Sequence, residues 1–123
     1  MPSDFAVQTH ITGSTAVVAV SGELDLVSCP SLERAVEQVA GSDVDLMIFD
    51  LRGLEFMDST GLHCVVRAQN QAHESGRRFA LVRGREQVQR LFDLTGVSDS
   101  LTIVDSPDQL LEGRAPPEPT VTP

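Results

Sequence analysis

The sequence predicts an α/β fold: one domain with a mostly parallel sheet, an antiparallel N-terminal edge strand and helices packed against it. Three observations lead there. Short aliphatic, β-branched runs alternate with segments whose apolar residues recur at helical spacing, the pattern of strand–helix–strand units. Two strand-like runs follow each other directly only at the N-terminus, where a hairpin supplies the antiparallel edge. The 123 residues are 41% apolar but only 4% aromatic, with neither Trp nor Tyr, so the core is aliphatic and suits a sheet covered by helices.

Taken in order, FAVQTHI (5–11) places Phe5, Val7, Thr9 and Ile11 on one face of a strand, and TAVVAV (15–20) follows after Gly13-Ser14. Gly22 breaks this second strand, and GELDLVS reads as a loop. Ser28 and Pro30 are helix-start signals, Leu32, Ala35, Val36 and Val39 form one stripe, and Gly41 stops the helix. DLMIFDL (45–51) contains a continuous apolar run, the mark of a central strand buried on both faces. After FMDSTG comes a helix with Leu62, Val65, Val66 and Gln69 at helical spacing, ending near Gly76. FALV (79–82) is a strand, Glu86–Leu94 a helix with Val88, Leu91 and Phe92 inward, Leu101–Val104 a last strand, and DQLLE a short helix opened by Ser106-Pro107. The domain spans 1–112. Residues 113–123, GRAPPEPTVTP, are Pro-rich and without periodicity, and are expected to be a disordered tail.

Charge narrows the function. The net charge is −9 and unevenly spread. Residues 23–58 hold nine acids against Arg34 and Arg52, a balance of −7, whereas residues 67–90 hold six arginines against Glu74 and Glu86, a balance of +4. The dominant acidic sign argues against nucleic acid and anionic membrane as partners, and the asymmetry suits steering of a protein encounter. Cys29 and Cys64 stand apart, without metal-site spacing, and read as buried free thiols, so neither metal nor cofactor is expected. No signal-peptide pattern opens the chain and no apolar run is long enough to span a bilayer, which points to a soluble cytoplasmic protein.

The chemically suggestive stretch is FMDSTGLHCV (56–65), where a strand gives way to a helix through an acid, two hydroxyls and a glycine. No phosphate-loop or dinucleotide motif accompanies it. Ser59 and His63 lie four apart beside Asp58, but G-x-S-x-G or another oxyanion site is lacking, so no catalytic residue is assigned and no enzyme is expected. Asp50 invites comparison with a phospho-aspartate receiver, yet the chain contains no lysine to hold a phosphoryl group. Asp58 or Ser59 serves as the helix N-cap. The second hydroxyl-bearing possibility is modification: a helix N-terminus accepts a phosphate on Ser59 without refolding, and the added charge suits a binding switch. Gly61, poor in a helix, implies close approach to another backbone or to a partner.

The loop Gly22-Glu23-Leu24-Asp25, the run Phe49-Asp50-Leu51 with Phe56-Met57-Asp58-Ser59-Thr60-Gly61-Leu62, and the later Leu91-Phe92 through Thr95-Gly96-Val97 resemble the STAS domain family, and within it the anti-sigma factor antagonists of bacteria. The resemblance covers about residues 5–112 and implies the corresponding fold. It implies a non-catalytic protein that binds an anti-sigma factor which is also a serine kinase, releases a sigma factor, and is switched off by phosphorylation of Ser59, with Thr60 the second candidate. It also implies that Glu23, Asp25, Asp58, Ser59, Thr60 and Gly61 lie on the partner-binding face, and that a serine phosphatase resets the switch. The alternative within the same fold is a STAS-like subunit or ligand-binding module, as in a lipid transport complex, in which Ser59-Thr60 do capping alone.

Overall fold

In a computed structural model, residues 5–97 and 101–111 are described. Five strands, β1 (Ala6–Thr12), β2 (Thr15–Leu24), β3 (Leu46–Met57), β4 (Arg78–Val82) and β5 (Thr102–Val104), form one sheet in the order β1-β2-β3-β4-β5. Four helices alternate with them: α1 (Cys29–Ala40), α2 (Ser59–Glu74), α3 (Glu86–Thr95) and α4 (Asp108–Leu111). β1 runs antiparallel to β2, and all other pairs are parallel, as helical crossovers between neighbouring strands require.

The alternation of β3 explains why its sequence is a continuous apolar run. Met47 and Phe49 face the main core with Leu32, Val36, Leu62, Val65, Val88 and Phe92 from the helices. Leu46 and Ile48 face the opposite side with Ala80 and Val82, where Leu110 of α4 packs. A strand that fills both layers cannot alternate with polar residues. Phe49 and Phe79 meet edge-to-face, with centroids 4.9 Å apart.

Several boundaries differ from the expectation. The first strand keeps Phe5 and Val7 packed on the core, but Thr9 and Ile11 are exposed, because β1 is an edge strand whose far end no helix covers. β3 continues past Leu51 to Met57, and GEL belongs to β2 rather than to a loop. These two extensions have one cause. The β2–β3 register shifts between Ala19 and Ser21 and again between Gly22 and Glu23, with Gly22 at φ 87°, a conformation that glycine adopts without strain. Beyond the irregularity the ladder resumes, pairing Glu23 with Phe56 and Leu24 with Met57. The tail at 113–123 lies outside the described residues.

Candidate functional site

That resumed ladder builds the site. By carrying β2 to Leu24 alongside Met57, it sets the turn after β2 against the N-terminus of α2, at the carboxyl ends of parallel strands, where open α/β sheets commonly place their functional surfaces. The Asp58 backbone N–H donates to the Leu24 carbonyl at 3.4 Å and ties the two segments directly.

Of the two capping candidates, Asp58 holds the N-cap. Its backbone is extended (φ −102°, ψ −174°), and its carboxylate accepts from the Gly61 N–H at 2.9 Å, satisfying one of the donors that open a helix. Ser59 is therefore released from capping: it is the first helical residue and is exposed. Thr60 is half-buried, and its carbonyl accepts from the Cys29 thiol at 3.7 Å. Gly61 is buried because the Leu24 carbonyl lies where a side chain would begin. A Cβ there would overlap that oxygen and stand 2.8 Å from Met57 Cγ.

The residues after β2 behave differently from one another. Glu23 is exposed. Asp25 turns its carboxylate into its own loop: Oδ1 accepts from the N–H groups of Val27 and Ser28, each at 3.1 Å. Such a turn leaves Asp25 shaping the loop, with one carboxylate oxygen already committed. Ser28 occupies the N-cap position of α1 but makes no side-chain cap. Its hydroxyl points back instead, donating to the Glu23 carbonyl at 2.8 Å and accepting from the Asp25 N–H at 2.9 Å. The expected cap is thus a loop lock. It leaves the first turn of α1 to backbone bonds such as Cys29 N–H to the Asp25 carbonyl, and to Pro30, which has no N–H to satisfy.

The lock also presents side chains that periodicity could not single out. Leu26 is 72% exposed, Val27 80% and Phe56 48%, and all three adjoin the segment joined by the Glu23–Phe56 and Leu24–Met57 pairs. Apolar side chains in such positions, beside an exposed serine and the acidic Glu23, make a surface suited to protein contact.

Other sequence candidates fall elsewhere. His63 is exposed on α2. Asp50 is occupied by Arg52, whose Nε and Nη2 reach its carboxylate at 3.0 and 2.8 Å while the Arg52 N–H donates at 3.1 Å. Burial pushes the Asp50 carboxyl upward, but these bonds outweigh it and hold the group below its ordinary value. Cys29 and Cys64 are buried free thiols, as the sequence indicates. Among the described residues no group of three or more His, Cys, Asp and Glu side chains could hold a metal ion, and no helix is long and apolar enough to cross a membrane.

Residues 6–110 match the STAS domain model, and the chain belongs to that family. Among its relatives, the anti-sigma-B factor antagonist of Bacillus subtilis is 35% identical over 86 residues, covering 70% of this chain and 78% of that protein. The crystal structure of an anti-sigma factor antagonist from Mycobacterium paratuberculosis superposes with a TM-score of 0.79 at 26% identity, over 89% of this chain and 93% of that one. The fold is also shared with the Bacillus cell fate determinant SpoIIAA in its phosphorylated form, at a TM-score of 0.69 and 21% identity, covering 89% of this chain and all (100%) of that one. The Bacillus subtilis and Mycobacterium paratuberculosis relatives are both named as antagonists of anti-sigma factors.

Proposed function

We propose that this protein is an anti-sigma factor antagonist: it binds an anti-sigma factor through the surface around Ser59 and so frees a sigma factor, and phosphorylation of Ser59 by that serine kinase partner switches it off. The observation that carries the reading is the division of labour at the start of α2. Asp58 does the capping, so Ser59 is surplus to the fold and stands exposed at the helix N-terminus. A phosphate there meets unpaired N–H groups and the positive end of the helix dipole, so modification leaves the fold intact while adding −1.5 to −2 charges at about pH 7. Exposure favours Ser59 over the half-buried Thr60 as acceptor.

On this reading the binding face comprises Glu23, Asp58, Ser59 and Thr60 together with Leu26, Val27 and Phe56, while Asp25 contributes by holding the loop and the buried Gly61 by letting β2 approach the start of α2. A serine phosphatase restores the binding form, and the exchange takes place in the cytoplasm. Both the relatives' antagonist role and the SpoIIAA structure in a phosphorylated form support it. The test is incubation with the cognate anti-sigma kinase and ATP, followed by peptide mass mapping. A single phosphate on Ser59, absent from Ser59→Ala, is the expected outcome. Modification confined to Thr60, or none in the presence of a kinase active on another antagonist, overturns the assignment.

A further inference from the structure

Cys29 opens α1 and Cys64 lies in the second turn of α2, 35 residues apart in sequence yet side by side in the fold. The Cys29 thiol donates to the Thr60 carbonyl at 3.7 Å, and the Cys64 thiol donates to the Cys29 carbonyl at 3.8 Å. The Cys64 thiol thus reaches the backbone of Cys29 itself, which sets the two cysteine residues against each other. Both are nearly inaccessible, at 4% and 2% exposure; Cys64, though not Cys29, is among the residues lining an open groove of about 570 Å³ between α1 and α2, with Leu32, Val36, Arg67 and Ala68.

We propose that Cys29 and Cys64 form a reversible intramolecular disulfide under a peroxide-class oxidant, clamping α1 to α2 directly beneath the Asp58–Gly61 helix start. The thiolate of one cysteine attacks a peroxide oxygen; the O–O bond breaks, leaving a sulfenic acid and hydroxide. The second cysteine's sulfur then attacks the sulfenic sulfur, the S–S bond forms, the S–O bond breaks, and water departs with the thiol proton. Two thiols are oxidised and one peroxide is reduced to two waters. A dithiol reverses the bond by exchange.

The clamp acts on the helix start because it consumes both S–H groups. The donation from Cys29 to the Thr60 carbonyl, which joins α1 to the residue after Ser59, ends when the disulfide closes, and a covalent bridge one turn deeper replaces it. Reactivity has a definite pH signature. Burial pushes the Cys29 thiol up, and burial, followed by the bond to Cys29, pushes the Cys64 thiol up further from the ordinary range. Since the thiolate is the nucleophile, closure is slow at neutral pH and accelerates about tenfold for each pH unit while both groups remain mostly protonated.

The experiment treats the reduced, folded protein with hydrogen peroxide, or with diamide, which takes up the two hydrogens directly. Free thiols are then blocked and the chain is mapped without reduction. Expected are a monomer lighter by two hydrogens, a cross-linked Cys29–Cys64 peptide pair restored to thiols by dithiothreitol, a rate that climbs with pH as above, and a melting temperature several degrees higher than that of the reduced form. Cys29→Ser and Cys64→Ser, each isosteric enough to fold, give no intramolecular bond and no such rise. Both cysteines still open to the blocking reagent after treatment, disulfides only between separate chains, or a lower melting temperature in the oxidised monomer would each overturn the proposal; the wild-type map alone decides it should either variant fail to fold.

Discussion

Gly61→Ala is the smallest change that attacks the junction on which the site is built. The added methyl group would overlap the Leu24 carbonyl oxygen and press on Met57 Cγ, 2.8 Å away. Met57 can shift its flexible end, but the Leu24 carbonyl is backbone held in the β2–β3 ladder, so either β2 or the first turn of α2 must move. Overpacking of this kind costs typically ~1–3 kcal/mol. Alanine also recovers at most ~1 kcal/mol of helix propensity, less so close to the helix end. The steric effect wins, and a net destabilisation of about 1–2 kcal/mol is expected. Gly41→Ala is the internal control: its Cβ would meet only the Gln38 and Glu37 carbonyls at 3.6 and 3.9 Å, ordinary contacts, at a φ of −82° that alanine adopts freely. That variant should be neutral or more stable by up to ~1 kcal/mol. Equilibrium urea denaturation of the three proteins, with matched m-values, measures the differences. Gly61→Ala as stable as the wild type, or shifted no differently from Gly41→Ala, would refute the claim that the Leu24 carbonyl excludes a side chain there.

Two further outcomes follow from the geometry. Asp58→Ala removes the side-chain cap of a 16-residue helix and should lower stability by about 1 kcal/mol, with Asp58→Ser recovering most of it, both read from denaturation midpoints. Asp50→Asn weakens the contact with Arg52, whose half-exposed side chain screens the interaction, so a loss below ~1 kcal/mol at neutral pH is expected. Because the folded carboxyl lies below its ordinary 3.8, that contribution is fully present above about pH 4 and is lost as the pH falls through the depressed value. Wild type and variant should therefore converge in acid, and a gap that stays constant down to pH 2, monitored by thermal melts, would contradict the assignment.

The fold was legible because each element carried its own period. The continuous Leu46–Phe49 run marked the central strand, and the stripes Leu32–Val39 and Leu62–Gln69 marked the two main helices. What escaped the sequence were features that depend on a second segment. Gly22, Glu23 and Asp25 interrupt apolar alternation and so read as loop, yet β3 offers a ladder that carries β2 on to Leu24 past an irregular register. Ser28 looks the same whether its hydroxyl caps a helix or locks a turn; the nearby Glu23 carbonyl and Asp25 N–H decided for the turn. Gly61 was legible as a position of close approach, though only the fold reveals that the neighbour is the Leu24 carbonyl. Leu26 and Val27 lie in a connection, where periodicity says nothing about exposure, and so the apolar part of the surface went unnoticed. The proximity of Cys29 and Cys64 is likewise a product of helix packing rather than of spacing.

The central claim, that charge at Ser59 weakens binding while leaving the fold unchanged, is tested most directly by calorimetric titration of an anti-sigma kinase partner with three samples: unmodified protein, Ser59→Ala, and protein phosphorylated on Ser59. Circular dichroism confirms equal folding in all three. Burying an anion beside Asp58 without a compensating cation costs on the order of 3–5 kcal/mol, or roughly two to four decades of affinity. The unmodified protein and Ser59→Ala should bind alike, and the phosphorylated protein should bind weaker by that factor. Equal affinities for all three would contradict the account.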